Sequence, residues 1–322
     1  MRIDIATLFP EMCENVFGES IVGRGIKNGF IEVYAHNIRE YTADKHKNVD
    51  DKPYGGGTGM VMQAQPIYDC VQAILERHKT RPRIIYLSPK GETLTQKKVS
   101  ELAKEDGLIL ICGHYEGVDE RVLEELEAEE ISVGDYVLTG GELPALIITD
   151  AVARLQKGVL PNEDAYSLES HYNGLLEQPQ YTRPEVWRGR RVPEELLTGD
   201  HKTVREWQEK MSLEVTKKKR PDLHKAYIDG KISEIWQAFL QEKQPELTEK
   251  TRFSVLELSS QELKAVLRGK LRELPNRGFE SGDYLILTNE QTIPRGIILI
   301  TKTLENTIYF RTVFKFRGET ND

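Results

Sequence analysis

The sequence predicts an α/β protein built around a parallel sheet, on three observations. Between residues 84 and 112, apolar runs of strand length alternate with a stretch of helical periodicity. Each run closes on a Ser/Pro/Gly turn: Ser88-Pro89-Lys90-Gly91 after Ile84–Leu87, and Gly113 after Leu108–Cys112. A further apolar run ends at Leu138 and breaks on Gly140-Gly141. Ligands of such sheets sit outside the carboxyl ends of the strands. The turns 88–91, 113–117 and 139–141 are therefore candidates for one shared pocket, where glycine lets bare backbone approach a ligand. Glycine turns are also ordinary connections after strands, and on spacing alone both readings stand. No G-x-G-x-x-G opens any of these helices, which disfavours a Rossmann dinucleotide site.

The elements follow in order. Arg2–Phe9 alternates apolar residues and closes on Pro10, a strand. Met12–Phe17 and Ser20–Lys27 read as short helices with Gly29 as a stop, and Ile31–Ile38 as a second strand. Pro66–His78 and Thr95–Glu105 have helical spacing. The stretch from Glu142 to about Leu155 is apolar nearly all round, so it predicts a buried helix, with Pro144 in the first turn where proline is tolerated. Between these lies the run from Asp44 to Met60, with four glycines in the five residues 55–59. It is not a P-loop, because no G-K-[ST] follows. Its lysines, His46 and Tyr54 suit a loop that orders around a nucleic-acid backbone or base; the alternative is an exposed linker.

At 322 residues, two or three domains are expected. A hydrophobic content of 39% and a mean hydropathy of −0.50 suit a chain with a real core. No apolar run reaches the roughly 18 residues of a membrane span. The N-terminus enters a strand pattern with no signal-like apolar stretch, so the expectation is a cytoplasmic protein. Cys13, Cys70 and Cys112 fit neither a disulfide framework nor zinc spacing. The net charge of −8 argues against indiscriminate nucleic-acid binding but leaves room for a local basic face. Residues 251–322 hold 11 Lys and Arg against 9 Asp and Glu, the less acidic part of the chain, which leans towards a phosphate-bearing partner there.

Several stretches resemble one family. They are F-P-E-M at 9–12, D-K-H-K-N-V-D-D-K-P-Y-G-G-G-T-G-M at 44–60, Y-L-S-P at 86–89, G-H-Y-E-G-V-D-E-R at 113–121, S-V-G-D-Y-V-L-T-G-G-E-L-P-A at 132–145, D-A-V-A-R at 150–154, G-L-L at 174–176 and P-Q-Y-T-R-P at 179–184. Together they resemble the bacterial tRNA (guanine-37-N1)-methyltransferases of the SPOUT superfamily over roughly residues 1–230. The resemblance implies an α/β SPOUT domain at 1–160 with a parallel sheet and a deep trefoil knot, an exception to the rule against knots. A linker at 161–175 and a helical tRNA-binding domain at 176–245 follow. It implies S-adenosylmethionine as methyl donor, Mg²⁺ as a requirement, a homodimer with each active site at its interface, and a tRNA carrying G36 and G37. Tyr86, Leu87, Ser88 and Pro89 then line the cofactor site with Gly113, Glu116 and Gly117. So do Val133, Gly134, Asp135, Tyr136, Val137 and Leu138, and after them Gly140, Gly141 and Pro144. Asp50, Tyr54, Gly59, Met60 and Arg183 fall to the tRNA.

The chemistry follows from the substrate. Guanine N1 carries a proton at neutral pH and is a poor nucleophile until it leaves, whereas a sulfonium methyl is already a good electrophile. The enzyme needs proximity, a general base and a cation or donor for charge developing on O6. By resemblance Arg154 is that cation; its alternative is a helix-end arginine paired with a nearby acid. The family's base is an aspartate five residues before the G-L-L glycine. Here the segment reads N-E-D-A-Y-S-L-E-S-H-Y-N-G from Asn162 to Gly174 and departs from that pattern. Counting back from Gly174 places Glu169 as the base, with Asp164 the alternative if the register shifts. Both could also be solvated acids of a polar loop. His171 stands where the family carries an aromatic, and is expected to pack rather than to act as the base. The altered base segment keeps two other functions open: a non-catalytic tRNA-binding relative, and a SPOUT methyltransferase retargeted to another RNA.

Pro193–Leu197, Lys202–Lys219, Leu223–Ile228 and Ser233–Gln241 read as helical, with Pro221 ending the second. Arg188-Gly189-Arg190-Arg191 and Lys217–Arg220 are basic runs, which the resemblance assigns to the anticodon arm, where phosphate contacts dominate affinity. Gln244–Lys250 reads as a linker. Residues 251–322 predict a small β-rich domain, with strands at Phe253–Leu258, Tyr284–Leu287, Gly296–Ile300 and Ile308–Phe316 and a helix at Gln261–Leu267. The stretch L-R-G-K-L-R-E-L-P-N-R-G-F-E-S-G-D-Y-L-I-L resembles PUA-like (ASCH-type) barrels, which often bind RNA; a packing or dimer-stabilising appendage is the alternative.

Overall fold

The computed structural model describes residues 1–160, 166, 169–243, 253–281, 283–289, 294–304 and 307–315. The chain divides into two compact units, Met1–Leu168 and Glu169–Asp322.

The first unit has one parallel sheet. Its strands are β1 (Arg2–Thr7), β2 (Glu32–Asn37), β5 (Arg83–Thr93), β6 (Gly107–Cys112) and β7 (Glu129–Ser132), in the order β2-β1-β6-β5-β7. A separate short hairpin pairs β3 (Asp50–Asp51) with β4 (Val61–Met62). The helices are α1 (Pro10–Phe17), α2 (Ser20–Lys27), α3 (Ala64–Leu75), α4 (Gln96–Leu102), α5 (Glu120–Leu126) and α6 (Glu142–Ala153). Strand alternation puts Ile3, Ile5, Ile85, Leu87, Leu108 and Leu110 on one face, against α1, α2, α4 and α6. Ala6, Ile84, Tyr86, Ile109 and Ile111 fill the other face against α3 and α5. The central β6 is buried along its whole length, as a parallel strand covered on both faces must be.

Several expectations change. The strand read as Ile84–Leu87 runs on to Thr93. Leu87 and Glu92 both pair with Ile131, so residues 88–91 form a bulge within the strand. Gly91 allows it, since a Cβ there would lie 2.3 Å from the Glu130 carbonyl carbon. The apolar run ending at Leu138 is not a strand to its end. Pairing stops at Ser132, Gly134 follows with φ +152°, and residues 133–139 form a loop. The helix α6 is not buried all round, because Leu143 and Ile147, four residues apart, are exposed. Helix α5 was not anticipated. It is capped by the Asp119 side chain accepting from Arg121 N, and it buries Val122, Leu123 and Leu126.

In the second unit, β8 (Val186–Trp187) and β9 (Arg190–Arg191) form a hairpin where a basic run within a helical region was expected. Arg188 and Gly189 both have positive φ, 49° and 77°, which suits the tight turn of a two-residue hairpin. Helix α7 (His201–Lys219) is capped by Asp200, whose carboxylate accepts from Lys202 N and Thr203 N. Leu223–Ile228 and Ser233–Gln241 are one helix, α8 (Pro221–Lys243), continuous through Gly230. Its far half carries Ile235, Trp236 and Phe239, which pack on Ile286 and Ile297.

Those last two residues belong to a five-stranded sheet. It contains β10 (Phe253–Glu257), β11 (Glu273–Pro275), β12 (Tyr284–Thr288), β13 (Pro294–Leu304) and β14 (Thr307–Lys315), in the order β10-β12-β13-β14-β11. Helix α9 (Ser260–Leu267) begins with a capping box between Ser259 and Glu262, and covers the other face of the sheet through Leu263 and Val266. The short β11 was not anticipated, and the expected linker at 244–250 lies outside the described residues.

Candidate active site

The carboxyl ends of β5, β6 and β7 gather three chain segments. The bulge 88–91 interrupts β5, the turn 113–117 follows β6, and the loop 133–141 follows β7. The last two meet directly: Gly141 N donates to Gly113 O at 2.9 Å, and His114 bridges Gly140. The chain leaving β7, at the edge of the sheet, thus passes the end of β5 to reach β6. Both glycines are required by closeness rather than by conformation. A Cβ on Gly141 would fall 2.6 Å from Cys112 Cα, and one on Gly113 would fall 2.7 Å from the Tyr86 hydroxyl.

Tyr86 and Ser88 are buried beneath this junction, and the Ser88 hydroxyl accepts from Lys90 N at 3.2 Å. Burial pushes the Tyr86 phenol up to about 12, with the charges of Glu130 and Glu120 adding to it, so it stays neutral at any working pH. Glu116 is exposed, and a Cβ on Gly59 would meet its carboxylate at 2.4 Å, so the glycine loop and the 113–117 turn lie against each other. Three backbone hydrogen bonds fix that contact: Glu116 N to Met60 O, Met62 N to Gly117 O, and Asp119 N to Met62 O. The glycine run is therefore the tip of the β3–β4 hairpin, with Tyr54 fully exposed at it. Its approach is also ordered. The Asp44 carboxylate accepts from His46 N and Asn48 N, which holds it below the usual carboxylate range.

On α6, Glu142 is buried beside the junction. Its carboxylate accepts from the Thr7 hydroxyl at 2.7 Å and lies 3.8 Å from His114 Nε2; the Thr7 hydroxyl in turn accepts from Phe9 N. An acid in the first helical turn is favoured by the helix dipole. Thr7, His114 and Glu142 were not singled out in the sequence; the one signal for them was a carboxylate opening an otherwise apolar helix. Phe9, Met12, His114, Thr139, Gly140, Glu142 and Leu143 surround a cavity of about 210 Å³. Pro144 is buried in the same turn of α6. By contrast Tyr136, Val137 and Leu138 face solvent, Val137 at 82% exposure, so this apolar loop is not part of the core.

Arg154 caps the opposite end of α6. Twelve residues separate it from Glu142, about 18 Å at 1.5 Å per residue. The structure therefore joins the 113–117 turn to Gly140-Gly141 and to Gly59-Met60, but not to Arg154. Glu169 belongs to the second unit, half-buried in a turn where Tyr172 N donates to its carbonyl and Ser170 Oγ accepts from Glu177 N. His171 has φ +73° and closes that turn onto Leu175. Arg183 is exposed, in the same unit as Glu169. Asp164 lies outside the described residues.

Glycine turns that close on one another beyond the carboxyl ends of parallel strands define an open α/β domain, the class in which ligands sit at that edge of the sheet. Residues 1–226 match the tRNA (guanine-1)-methyltransferase TrmD family, and the chain belongs to that family. It is 56% identical to a tRNA (guanine-N(1)-)-methyltransferase of Ruminiclostridium cellulolyticum, over 69% of this chain and 96% of that protein. Proteins of the same description from Lachnospira eligens and Alkaliphilus oremlandii are 52% and 49% identical, over 71% and 73% of this chain and 97% of each relative. No helix among the described residues is long and apolar enough to cross a membrane.

Proposed function

We propose that this protein transfers the methyl group of S-adenosylmethionine to N1 of guanine 37 in tRNA. The observation that carries the reading is the Gly141–Gly113 closure, which ties the loop after β7 to the turn after β6 in a chain of this family. The fit of the methyl donor rests on that same geometry: Gly113, Gly140 and Gly141 have no room for side chains, so the cradle is backbone. When bound, S-adenosylmethionine supplies an electrophilic methyl on a cationic sulfur. The residues 86–89, 113–117 and 133–141 bind and bend it, and Pro144 closes the cradle from α6. The Mg²⁺ that the family resemblance implies finds no group of three or more His, Cys, Asp or Glu side chains placed to hold it among the described residues.

Glu169 takes the N1 proton. The N1 electron pair forms the bond to the methyl carbon, the carbon–sulfur bond breaks, and its electrons stay on sulfur as a neutral thioether. Arg154 stabilises the charge that develops on guanine O6. At about 18 Å from the cradle of its own chain, it serves the site of a second copy. Phe9, Met12 and Val16 on and beside α1, with Leu143 and Ile147 on α6, form an exposed apolar face that suits burial in a homodimer. The path of the chain from β7 past β5 to β6 supports a knotted topology. Asp50, Tyr54, Gly59 and Met60 on the glycine hairpin, and Arg183 in the second unit, meet the tRNA around G36 and G37. The Trp187-Arg188 hairpin, with the Arg188 guanidinium 5.1 Å from the Trp187 ring centroid, offers a stacking and phosphate-binding surface for the same RNA.

The test is methyl transfer from labelled S-adenosylmethionine to a leucine-type tRNA transcript, by wild type, Glu169→Gln and Asp164→Asn. Loss in Glu169→Gln alone supports the assignment of the base. Loss in Asp164→Asn alone moves the base to that residue. No transfer by wild type that still binds the cofactor hands the case to the retargeted or non-catalytic relative.

A further inference from the structure

The family match ends at residue 226, and nothing in it accounts for the sheet built by β10–β14. That sheet carries a cleft of about 420 Å³ between the C-terminal end of α9 and strand β14. Its floor is apolar: Val266 and Phe310 are buried, and Leu267 and Leu271 are half-buried. Thr312 fixes the two walls together, its hydroxyl donating to Val266 O at 3.4 Å. Its rim is cationic, made by Arg268, Arg272, Arg311 and Lys315, all exposed. Among the described residues no carboxylate lies within ion-pair distance of any of the four, and no acidic side chain lines the cleft. In a chain of net charge −8, four cations around one cavity, with no acid paired to them among the described residues, are a local design and not a reflection of composition.

The geometry points to an RNA-binding cleft that seats one unstacked nucleotide, its base on the half-buried Leu267 and Leu271 above the Val266–Phe310 core and the neighbouring phosphates on the four cations. The volume falls in the range of roughly 300–1,000 Å³ used for small organic groups. An apolar floor accepts any base by its face, and arginine suits phosphate by its planar fork. A free nucleotide shares this chemistry. The spread of charge favours a chain of phosphates: Arg311 and Lys315 flank a bulge in β14 and pair with Leu299 and Gly296, three residues apart on β13, about 10 Å at 3.3 Å per residue, more than one phosphate spans. The RNA is the tRNA substrate, and in that clause the inference rests on the proposed function.

The experiment uses the full-length protein and a fluorescent tRNA transcript, titrated between 50 and 200 mM KCl in the presence of S-adenosylmethionine. The triple variant R268A/R311A/K315A removes three cations, and R268K/R311K keeps the charge. The triple variant is expected to flatten the salt dependence, lowering the slope of log K against log salt by about 2 to 3, at 0.7–0.9 per phosphate contact. Its affinity at 50 mM falls at least tenfold, and the lysine variant keeps the wild-type slope. At saturating tRNA the triple variant retains wild-type kcat, which separates this cleft from the methyl-transfer site. Absence of methyl transfer by wild type refutes the functional reading alone, since binding is read independently. Unchanged slope and affinity in the triple variant overturn the cleft. So does saturable binding of AMP to the wild type that the triple variant loses while its tRNA affinity is unaltered, which would make the cleft a site for free nucleotide.

Discussion

Replacing Gly141 with alanine puts a methyl group where the backbone of the neighbouring turn already lies. The new Cβ would sit 2.6 Å from Cys112 Cα and 3.0 Å from both Cys112 Cβ and Gly113 N, and none of these atoms is the free end of a flexible side chain. Gly141 has φ −80°, so the cost comes from overlap and not from a forbidden conformation. Overpacking of this kind costs about 1–3 kcal/mol, and loss of the Gly141–Gly113 hydrogen bond adds about 1 kcal/mol. If the loop yields while the sheet holds, the sum of about 2–4 kcal/mol appears in cofactor binding, about 30- to 700-fold in Kd at 1.4 kcal/mol per tenfold. If the sheet yields instead, the same sum appears as a lower urea midpoint. Gly18→Ala is the control, since its Cβ would meet nothing closer than 3.6 Å, at φ −71°. The assay is calorimetric titration with S-adenosylmethionine beside urea unfolding. A Gly141→Ala protein that binds within threefold of wild type, with an unchanged midpoint, refutes the argument that this close approach builds the cradle.

Three further outcomes are expected. Asp4 is fully buried between Arg2, His36 and His78, and although burial alone would raise its carboxyl, their hydrogen bonds outweigh that and hold it far below the usual range. A depressed carboxyl stabilises the fold above its unfolded pKa and loses that contribution as pH falls below about 4; Asp4→Asn is therefore less stable at pH 7 by about 3 kcal/mol, with a shallower acid limb in urea midpoints taken from pH 7 to pH 3. Cys13, Cys70 and Cys112 are all buried; burial pushes the Cys13 and Cys70 thiols up to about 12 and Cys112 well above its ordinary value. A thiol reagent should therefore modify none of them in the native protein and all three after unfolding. At a donor concentration below the weakened Kd of Gly141→Ala, mixing Arg154→Ala subunits with Gly141→Ala subunits should raise methyl transfer above that of either variant alone, because in the proposed homodimer one mixed site has an intact cradle and a partner's arginine; no rise refutes catalysis across the interface.

The layered α/β core was legible because its signals are local. Ile3, Ile5, Leu108 and Leu110 alternate with residues that fill the opposite face, and each strand closes on a turn. The meeting of the 113–117 and 139–141 turns followed from the rule that parallel strands share one carboxyl edge, whereas residues 88–91, read as a turn closing a strand, form a bulge inside β5. What was lost depends on tertiary contact. Val133–Leu138 carries strand-like residues, but Gly134 turns the chain at φ +152° and leaves Val137 in solvent. Glu92 pairs again with Ile131 after a four-residue bulge, and no periodicity announces that return. The Val186–Arg191 hairpin has strands of two residues, too short for a pattern, though Arg188-Gly189 carried its turn signal. Leu223–Ile228 and Ser233–Gln241 were read as two helical stretches, yet α8 runs through both because Trp236 and Phe239 bury against the C-terminal sheet. At the site, Thr7 gave no sign that it would donate to Glu142 across 135 residues of sequence. The separation of Arg154 from the cradle could have been read from helix length alone.

Methylation of guanine N1 at position 37 by this chain is tested most directly by label transfer from S-adenosylmethionine to two tRNA transcripts that differ only at that position, G37 and A37, with the product nucleoside identified after digestion. Stoichiometric 1-methylguanosine is expected from the G37 transcript and background label in the A37 transcript. Equal labelling of both, or a methylated nucleoside other than 1-methylguanosine, contradicts it.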